Sequence, residues 1–441
     1  MSFGIVISLI VFVLVIALGI PLGWGFLGST IVGLWGLEES LSFTAGTFYH
    51  AINNYVLMGI AFFIFAGSLI AQAGLADRIV RFSYALVGKV RGGLIIVGIV
   101  ASVIMGALTG SSLPVISALI PLLVPQLERY GYNRVYTTSV LCSCSFLGYL
   151  IPPSVPAMIY CLIAQQSVAA LFLSTVIPGL LLAFGYGVVN YFICDKYIDE
   201  SKAPPALEPH LRRKELFAST WAAIPALGCP AVILVGIYGG FFTPNEAGAI
   251  GVVYSIIVGF LVYGDLTMKR FWAAILGSIM TVGMIDLMMA TGTVFTRLMI
   301  REGVAQTVAS GILGIFDSKV MILLAMNAFL LLLGMFIDGT PILILAVPMI
   351  LPLIKQIDVN LVQLGAIIIV NVGLGVVTPP FAISMFVGAK LADVKYVQLI
   401  KPMMVFLFLV GIPILLLTTF IPALSCWLPT VLLGIETVGP W

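Results

Sequence analysis

Long apolar runs separated by short charged loops limit the possible folds of this chain more than any other feature. Charged residues make up only 9% of the 441 residues and hydrophobic residues 61%, whereas soluble domains carry about 25% charged residues. A bilayer core about 30 Å thick needs about 20 apolar residues per helix, so the chain can supply roughly ten crossings. We therefore predict an all-α polytopic membrane protein, which excludes a soluble multidomain enzyme.

The rest of the composition excludes further functional classes. A net charge of +2 gives no basic surface for nucleic acid, so no nucleic-acid partner is expected. Two histidines cannot build a histidine metal site, and none of the six cysteines has C-x-x-C spacing. No P-loop is present, so ATP does not drive the chain directly. Residues 3–20 lack a basic flank and a clean cleavage site, which indicates a first membrane helix instead of a signal peptide. We expect no enzymatic activity, no catalytic residues and no cofactor.

Two apolar runs, 92–127 without a charge and 320–354 with Asp338 alone, have the wrong length for simple spans. The first would be about 54 Å long as one helix, which overshoots one crossing but is short for two with a loop. Its midpoint, 109–114, contains small and helix-breaking residues, and the second run has Asp-Gly-Thr-Pro at 338–341. Two half-length helices that meet within the bilayer fit each run, so we predict two re-entrant hairpins.

A broken helix follows each hairpin. The apolar runs 135–165 and 361–390 are interrupted by tandem prolines at 152–153 and 379–380. Proline removes a backbone donor and clashes with the preceding turn, so a tandem pair interrupts the helix. Unwound backbone at this depth must be buried in protein or line a wet cavity.

The hairpin and the broken helix occur twice in the same order, which indicates an internal repeat. Five prolines recur at a constant offset of 227 residues. Those of the first half are Pro114, Pro121, Pro125, Pro152 and Pro153, and they match Pro341, Pro348, Pro352, Pro379 and Pro380. We predict a first repeat at 1–194, a linker at 195–218, a second repeat at 219–424 and a C-terminal tail at 425–441.

Each repeat is predicted to contain five spans plus one hairpin, and an odd number of spans inverts the second repeat relative to the first. This topology places 16 of the 20 Lys and Arg residues on one face, which the positive-inside rule assigns to the cytoplasm. The first hairpin then opens inward, the second opens outward, and the long polar linker, which contains Ala-Pro-Pro-Ala at 203–206, is cytoplasmic. Charged and apolar residues mix at 74–89 and 301–317, which predicts amphipathic arms along the membrane interface.

Inverted repeats with interrupted helices are typical of secondary transporters, which bind substrate near the bilayer midplane. A half-helix N-terminus suits an anion, while unwound carbonyls and hydroxyls offer oxygen ligands to a cation such as sodium. The candidate groups at the tips and breaks are Ser111, Ser112, Ser154, Asp338, Thr340 and Thr378. Each hydroxyl could instead bond only to its own helix.

Two aspartates lie inside apolar segments, where a carboxylate is costly and indicates function. Asp338 could bind an ion, or it could only cap a hairpin half-helix. Asp286 could face a partner, the substrate path or a polar neighbour. The pair raises the alternative of an intramembrane aspartyl protease, but the G-x-G-D signature of that family is absent. An ion channel is also compatible, although hairpins that enter from opposite sides fit alternating access better.

Six motifs, in order along the whole chain, carry a resemblance to a known family. They are GALTGSS at 106–112, IPPSVP at 151–156, GGFFTPNEA at 239–247, LGMFID at 333–338, VTPP at 377–380 and FIPAL at 420–424. Each motif is weak alone, but the ordered set is specific. The chain resembles the large membrane (M, DctM-like) subunit of tripartite ATP-independent periplasmic (TRAP) transporters.

The resemblance implies sodium-driven import of a small organic anion across the bacterial inner membrane by an elevator-type ion transporter fold. Substrate would arrive on a soluble periplasmic binding (P) protein. A small four-helix Q subunit would pack beside this chain among the membrane lipids, and Q is expected to be separate because the sequence starts at its first M-type helix. The hairpins and broken helices would move together against a scaffold of arms and remaining spans.

The resemblance also implies two sodium sites with substrate between the tips. One sodium would be held by Ser111, Ser112 and the backbone around Ile151, Pro152 and Ser154. The other would be held by Asp338, Gly339, Gly375, Val376 and Thr378. The substrate would lie near Ser112, Ser154, Thr340 and Ser384. Leu113-Pro114 replaces the small and acidic residues that the family commonly shows, so the first tip is expected to differ in shape.

A stand-alone sodium-coupled dicarboxylate or anion carrier with similar hairpins is the alternative function. The sequence does not identify the substrate, since dicarboxylates, sugar acids, oxo acids and sulfonates are all compatible with it. No arginine lies within the predicted midplane, so anion recognition is expected to rely on hydroxyls, half-helix ends and bound sodium.

Overall fold

Helices form almost the whole described structure. The computed structural model describes residues 3–37, 42–87, 90–199, 209–316 and 318–441, so the linker segment 203–206 lies outside the described residues. An isolated antiparallel bridge pairs Tyr132 with Ile198. The all-α prediction is confirmed.

The first half of the chain runs through a hairpin and a broken helix. Its helices are α1 Phe3–Ala17, α2 Leu22–Gly36, α3 Ser42–Ile52, α4 Tyr55–Gln72, α5 Leu75–Val87, α6 Gly93–Thr109, α7 Ser112–Arg129, α8 Arg134–Ser145, α9 Leu147–Leu150, α10 Val155–Ala164 and α11 Val168–Ile193. The run predicted as the first hairpin corresponds to α6 and α7. The run predicted as the first broken helix corresponds to α8, α9 and α10.

The second half contains a second helix pair of the same kind, α16 and α17. Its helices are α12 Pro209–Tyr238, α13 Pro244–Ile257, α14 Met268–Arg301, α15 Val304–Ile315, α16 Lys319–Phe336, α17 Gly339–Gln356, α18 Leu361–Gly375, α19 Ile383–Leu391, α20 Tyr396–Phe406, α21 Ile412–Phe420, α22 Ala423–Leu433 and α23 Ile435–Val438. A π-helical turn at Val258–Val262 extends α13, and another at Leu407–Gly411 joins α20 to α21. The run 361–390 corresponds to α18 and α19.

The described helices account for a protein that crosses the membrane many times. Eight of them are long and apolar enough to span a bilayer. The number is nine if the first broken helix counts as one span, since its two parts, 134–150 and 155–164, meet at an angle of 43°. The bend falls at the tandem prolines, where the helical hydrogen bonds cannot continue. The prediction of a polytopic membrane protein is confirmed.

Glycine pairs hold the first arm of each hairpin against the following broken helix. A Cβ added to Gly106 would lie 2.7 Å from the Cα of Gly148, and one added to Gly334 would lie 2.6 Å from the Cα of Gly375. Real Cβ atoms do not approach backbone so closely, so each pair requires two glycines. Gly148 and Gly375 are 227 residues apart, the offset of the prolines. The same backbone-to-backbone contact therefore recurs in both halves.

The residues predicted as a C-terminal tail, 425–441, lie largely in helices α22 and α23. Cys426 is fully buried, and the Asn360 side-chain amide donates to the carbonyl oxygens of Val438 at 2.8 Å and Pro440 at 3.0 Å. Pro422 separates α21 from α22 because it has no amide hydrogen to continue the preceding helix. The composition of a tail and that of a short packed helix are alike here, so the sequence did not distinguish them.

The first predicted amphipathic arm contains α5, and its basic face is paired with the loop after α13. Arg78 contacts the Asp265 carboxylate at 2.6 Å, and its guanidinium lies 4.0 Å from the centre of the Tyr263 ring. Exposed ion pairs stabilise weakly, but a cation over an aromatic face adds to this one. These contacts join the arm to the helices of the second half.

Candidate functional site: a cavity between two hairpin tips

The first hairpin tip packs directly onto the first helix break. Gly110 connects α6 to α7 with a φ of +61°, a conformation that favours glycine. A Cβ at this position would lie 2.7 Å from the carbonyl oxygen of Pro153, and the amide of Val155 donates to the Gly110 carbonyl at 3.3 Å. The tip and the break are therefore one packed unit.

Tyr149 links the first tip to the first break. The Ser112 hydroxyl donates to the Tyr149 hydroxyl at 3.1 Å, and the Ser154 hydroxyl donates to the Tyr149 carbonyl at 2.5 Å. Ser154 also caps α10, since its oxygen accepts from the Ala157 amide at 3.3 Å. Both serines are buried. Their hydroxyls are thus occupied by protein partners in this structure.

The second tip places a carboxylate at the start of a half-helix. Asp338 is the N-cap residue of α17, and its side chain makes no capping hydrogen bond. A Cβ added to Gly339 would lie 2.8 Å from Val372 Cγ1 and 3.7 Å from the Tyr149 ring. Because Tyr149 also bonds Ser112, the two hairpin tips meet across this tyrosine.

The second break lies behind the second tip. The Thr378 hydroxyl donates to the Leu374 carbonyl at 2.6 Å, and the amide of Ser384 donates to the Val376 carbonyl at 3.3 Å. The Ser384 hydroxyl is buried and has no hydrogen-bond partner among the described residues. This break therefore holds one hydroxyl, that of Ser384, that is not committed to the protein.

The tips and breaks enclose a space of about 610 Å³, which we call the tip cavity and define by Ser111, Tyr149, Asp338 and Thr340. Its wall continues along α4, at Ser68 and Gln72, and along α14 between residues 277 and 288. Pockets of roughly 300–1,000 Å³ accommodate small organic ligands. The cavity is large enough for a small organic anion.

The structure brings only some of the predicted site residues to this cavity. Ser111, Asp338 and Thr340 line it. Ser112 and Gly339 lie just behind its wall, in contact with Tyr149. The other predicted residues lie in the breaks and do not line the cavity in this structure: Ile151, Pro152, Ser154, Gly375, Val376, Thr378 and Ser384.

One ionisable carboxyl group lies in the wall of the cavity. Asp338 is its only acidic residue, and no lysine or arginine lines it in the described part of the chain. Two like charges about 4 Å apart repel each other, strongly so where water is scarce. An ionised Asp338 would therefore repel an organic anion in this cavity unless a cation or a proton offset its charge.

Sequence reasoning overlooked Tyr149, although it connects three of the predicted residues. A tyrosine two residues before the break of an uncharged 30-residue run was an available signal. Tyr149 corresponds to Val376 at the repeat offset of 227, so comparison of the two halves did not reveal it.

Asp286 is placed apart from the cavity. It is half-buried in α14, does not line the tip cavity and makes no hydrogen bond or ion pair with the described residues. The structure does not bring Asp286 and Asp338 together at this cavity, so the pair does not form the dyad that an aspartyl protease needs.

Many apolar spans with two interrupted hairpins around a central cavity define a membrane transporter. The family model for the tripartite ATP-independent periplasmic transporter, DctM component, matches residues 9–424. The chain therefore belongs to the DctM family of TRAP transporters.

Several curated relatives are similar over almost the whole chain. The sialic acid TRAP transporter large permease protein SiaM of Vibrio cholerae is 32% identical over 94% of this chain and 96% of its own length. The C4-dicarboxylate TRAP transporter large permease protein DctM of Pseudomonas aeruginosa is 31% identical over 89% of this chain and 90% of its own length. The sialic acid TRAP transporter permease protein SiaT of Haemophilus influenzae is 30% identical over 98% of this chain and 69% of its own length.

A solved structure shares the fold. The crystal structure of the Alcanivorax borkumensis YdaH transporter superposes with a TM-score of 0.59 and covers 88% of each chain. At 13% identity this likeness concerns the fold alone.

Proposed function

We propose that this chain is the transporting subunit of a sodium-coupled importer of a small organic anion. The observation that carries the proposal is the meeting of both hairpin tips at a cavity whose one acidic lining residue is Asp338. Sodium bound at this carboxylate would supply the positive charge that an anionic substrate needs. Coupling follows, because the anion binds well only after sodium has offset the charge of the carboxylate.

The sodium ligands remain those expected from the sequence. Around the first tip they are Ser111, Ser112 and the backbone of Ile151, Pro152 and Ser154. Around the second they are Asp338, Gly339, Gly375, Val376 and Thr378. The substrate would then contact Ser112, Ser154, Thr340 and Ser384. Sodium binding at the first site requires the Ser112 hydroxyl to turn its oxygen lone pairs toward the ion, which its present bond to Tyr149 allows because Ser112 is the donor.

We further propose an elevator movement. The glycine pairs join each hairpin to its broken helix, and Tyr149 joins the two tips, so these elements can move as one block. A second group of helices is linked separately: the Ser68 hydroxyl donates to the Ala274 carbonyl at 3.3 Å, and the Asn245 amide donates to the Tyr55 carbonyl. These contacts tie α4, α13 and α14 into a scaffold, against which the block would slide.

The proposed assembly contains two further proteins. A periplasmic binding protein would deliver the anion, and a small four-helix membrane subunit would pack beside this chain in the bacterial inner membrane. The names of these relatives specify sialic acid for SiaM and SiaT and C4-dicarboxylates for DctM. The cargo of this chain would be an anion of that size.

Uptake into proteoliposomes tests the proposal. We would reconstitute this chain with its small subunit, add the binding protein, and measure uptake of labelled succinate and sialic acid, together with the ligand that copurifies with the binding protein. Uptake should require both the binding protein and an inward sodium gradient, and potassium should not replace sodium. Transport by this chain alone would support the stand-alone carrier, and sodium-independent uptake by the full assembly would contradict coupling.

A further inference from the structure

A second cavity, of about 360 Å³, lies beyond the tip cavity and contains an arginine. We call it the arginine cavity. Its polar lining residues are Thr47, His50, Asn54, Thr293, Thr296 and Arg297. No aspartate or glutamate is among the described residues that line it. The arginine cavity therefore has a basic lining residue and no acidic one among the described residues, whereas the tip cavity has an acidic lining residue and no basic one.

Arg297 differs from three other arginines of the described residues, and from Arg270, which donates to the Asp265 backbone carbonyl at 2.9 Å. Arg78, Arg91 and Arg134 each pair with a carboxylate. The guanidinium of Arg297 makes one long hydrogen bond, 3.4 Å to the Thr47 hydroxyl, and no ion pair within the described ranges. A guanidinium carries five N–H donors, so most donors of this exposed side chain have no protein partner among the described residues.

The two cavities are consecutive along the same helices. Residues 277–288 of α14 line the tip cavity, and residues 289–300 line the arginine cavity. On α17, Thr340 lines the first, whereas Ile344 and Pro348 line the second. One to two helical turns, about 6–12 Å, separate these positions on α17. The arginine cavity thus lies on the path between the tips and the end of α14.

We infer that the arginine cavity is a waiting site for a soluble organic anion on its way to the tip cavity, an inference that rests on the proposed transport function. Guanidinium binds carboxylate or sulfonate through two parallel hydrogen bonds, and the threonine hydroxyls can add more. Arg297 concentrates anions at the mouth of the path. No lysine or arginine of the described residues lines the tip cavity, so the anion gains affinity there only when sodium is bound.

Paired charged thiol reagents test this inference without a transport assay. Thr293 lines the arginine cavity, so Thr293→Cys places a reporter cysteine there. The six native cysteines are all buried, so they should react little with the reagents. We would compare its reaction rates with the impermeant anionic and cationic methanethiosulfonates MTSES and MTSET. The positive charge of Arg297, about 6 Å from the reporter, should raise the local concentration of the anionic reagent roughly threefold and lower that of the cationic reagent by the same factor. Arg297→Gln should therefore lower the anionic-to-cationic rate ratio about tenfold.

The control removes an arginine one helical turn further along α14. Arg301 does not line the cavity, so Arg301→Gln should change the ratio by less than about twofold, because distant exposed charges are screened. A second reporter, Ala51→Cys, lines the same cavity and covers the case in which Thr293→Cys does not fold. Succinate should slow MTSES labelling in the protein with Arg297 and have no such effect after Arg297→Gln.

Three outcomes would overturn the inference. They are a rate ratio that Arg297→Gln leaves unchanged, reporters that do not react from water at all, and protection by anionic lipid vesicles in place of succinate. The last result would assign the cavity to a lipid headgroup. Labelling requires no sodium gradient, so the two proposals can fail separately. If sodium-driven uptake fails but labelling depends on Arg297 as expected, the proposed function is rejected and the anion site is retained.

Discussion

Replacing Asp338 by asparagine should lower sodium-driven uptake by about tenfold or more, since a tenfold loss of sodium affinity needs only about 1.4 kcal/mol. Asparagine keeps the size of the side chain but loses the negative charge that would hold sodium beside an anion. Asp338 is also the N-cap residue of α17. Asparagine caps helices as well as aspartate does, so the fold should be retained. The initial uptake rate as a function of sodium concentration measures the effect.

Asp358→Asn is the matched control. Asp358 lies after α17, away from the tip cavity, with a φ of +51° that asparagine tolerates. Its substitution should leave the sodium dependence unchanged. If Asp338→Asn also transports with unaltered sodium dependence, Asp338 does not bind sodium and the second sodium site lies elsewhere.

Gly334→Ala should destabilise the protein strongly, by about 1–3 kcal/mol or more, because its methyl group cannot be accommodated. The added carbon would lie 2.6 Å from the Cα of Gly375, and backbone cannot rotate away as a side chain can. Gly106→Ala in the first half should behave alike, since its added carbon would lie 2.7 Å from the Cα of Gly148. Thermal unfolding of the detergent-solubilised protein measures both losses.

Gly311→Ala provides the control for these two variants. Gly311 lies within helix α15, and a Cβ there meets nothing within 4 Å. Alanine should stabilise this helix by about 0.5–1 kcal/mol, because glycine is the more flexible residue in the unfolded chain. Equal unfolding temperatures for Gly334→Ala and Gly311→Ala would show that the hairpin does not pack on the broken helix as described.

The elements of the fold could be read from the sequence because their signals are local. An uncharged run of 36 residues with glycine at its centre predicts two half-length helices, and α6 and α7 meet at Gly110. Tandem prolines predict a break, and α9 ends at Leu150, immediately before the tripeptide Ile151-Pro152-Pro153. Charge spacing and proline chemistry act within a few residues, so they need no knowledge of the tertiary structure.

The lining of the site could not be read in this way, because it depends on how helices turn relative to one another. Ser111 faces the cavity, whereas the adjacent Ser112 bonds Tyr149. Arg297 lies in the last turns of α14, which ends at Arg301, and its guanidinium contacts Thr47, 250 residues away in sequence. Contacts between distant segments decide both cases.

Sidedness of the two hairpins tests the central claim, that two oppositely oriented repeats meet at one cavity. Tyr130 follows the first hairpin, Ser318 precedes the second, and both are exposed. Single cysteines, Tyr130→Cys and Ser318→Cys, would be labelled with an impermeant maleimide in intact cells and again after permeabilisation. Ser318→Cys should react in intact cells and Tyr130→Cys only after permeabilisation, whereas reaction of both from the same side would contradict the account.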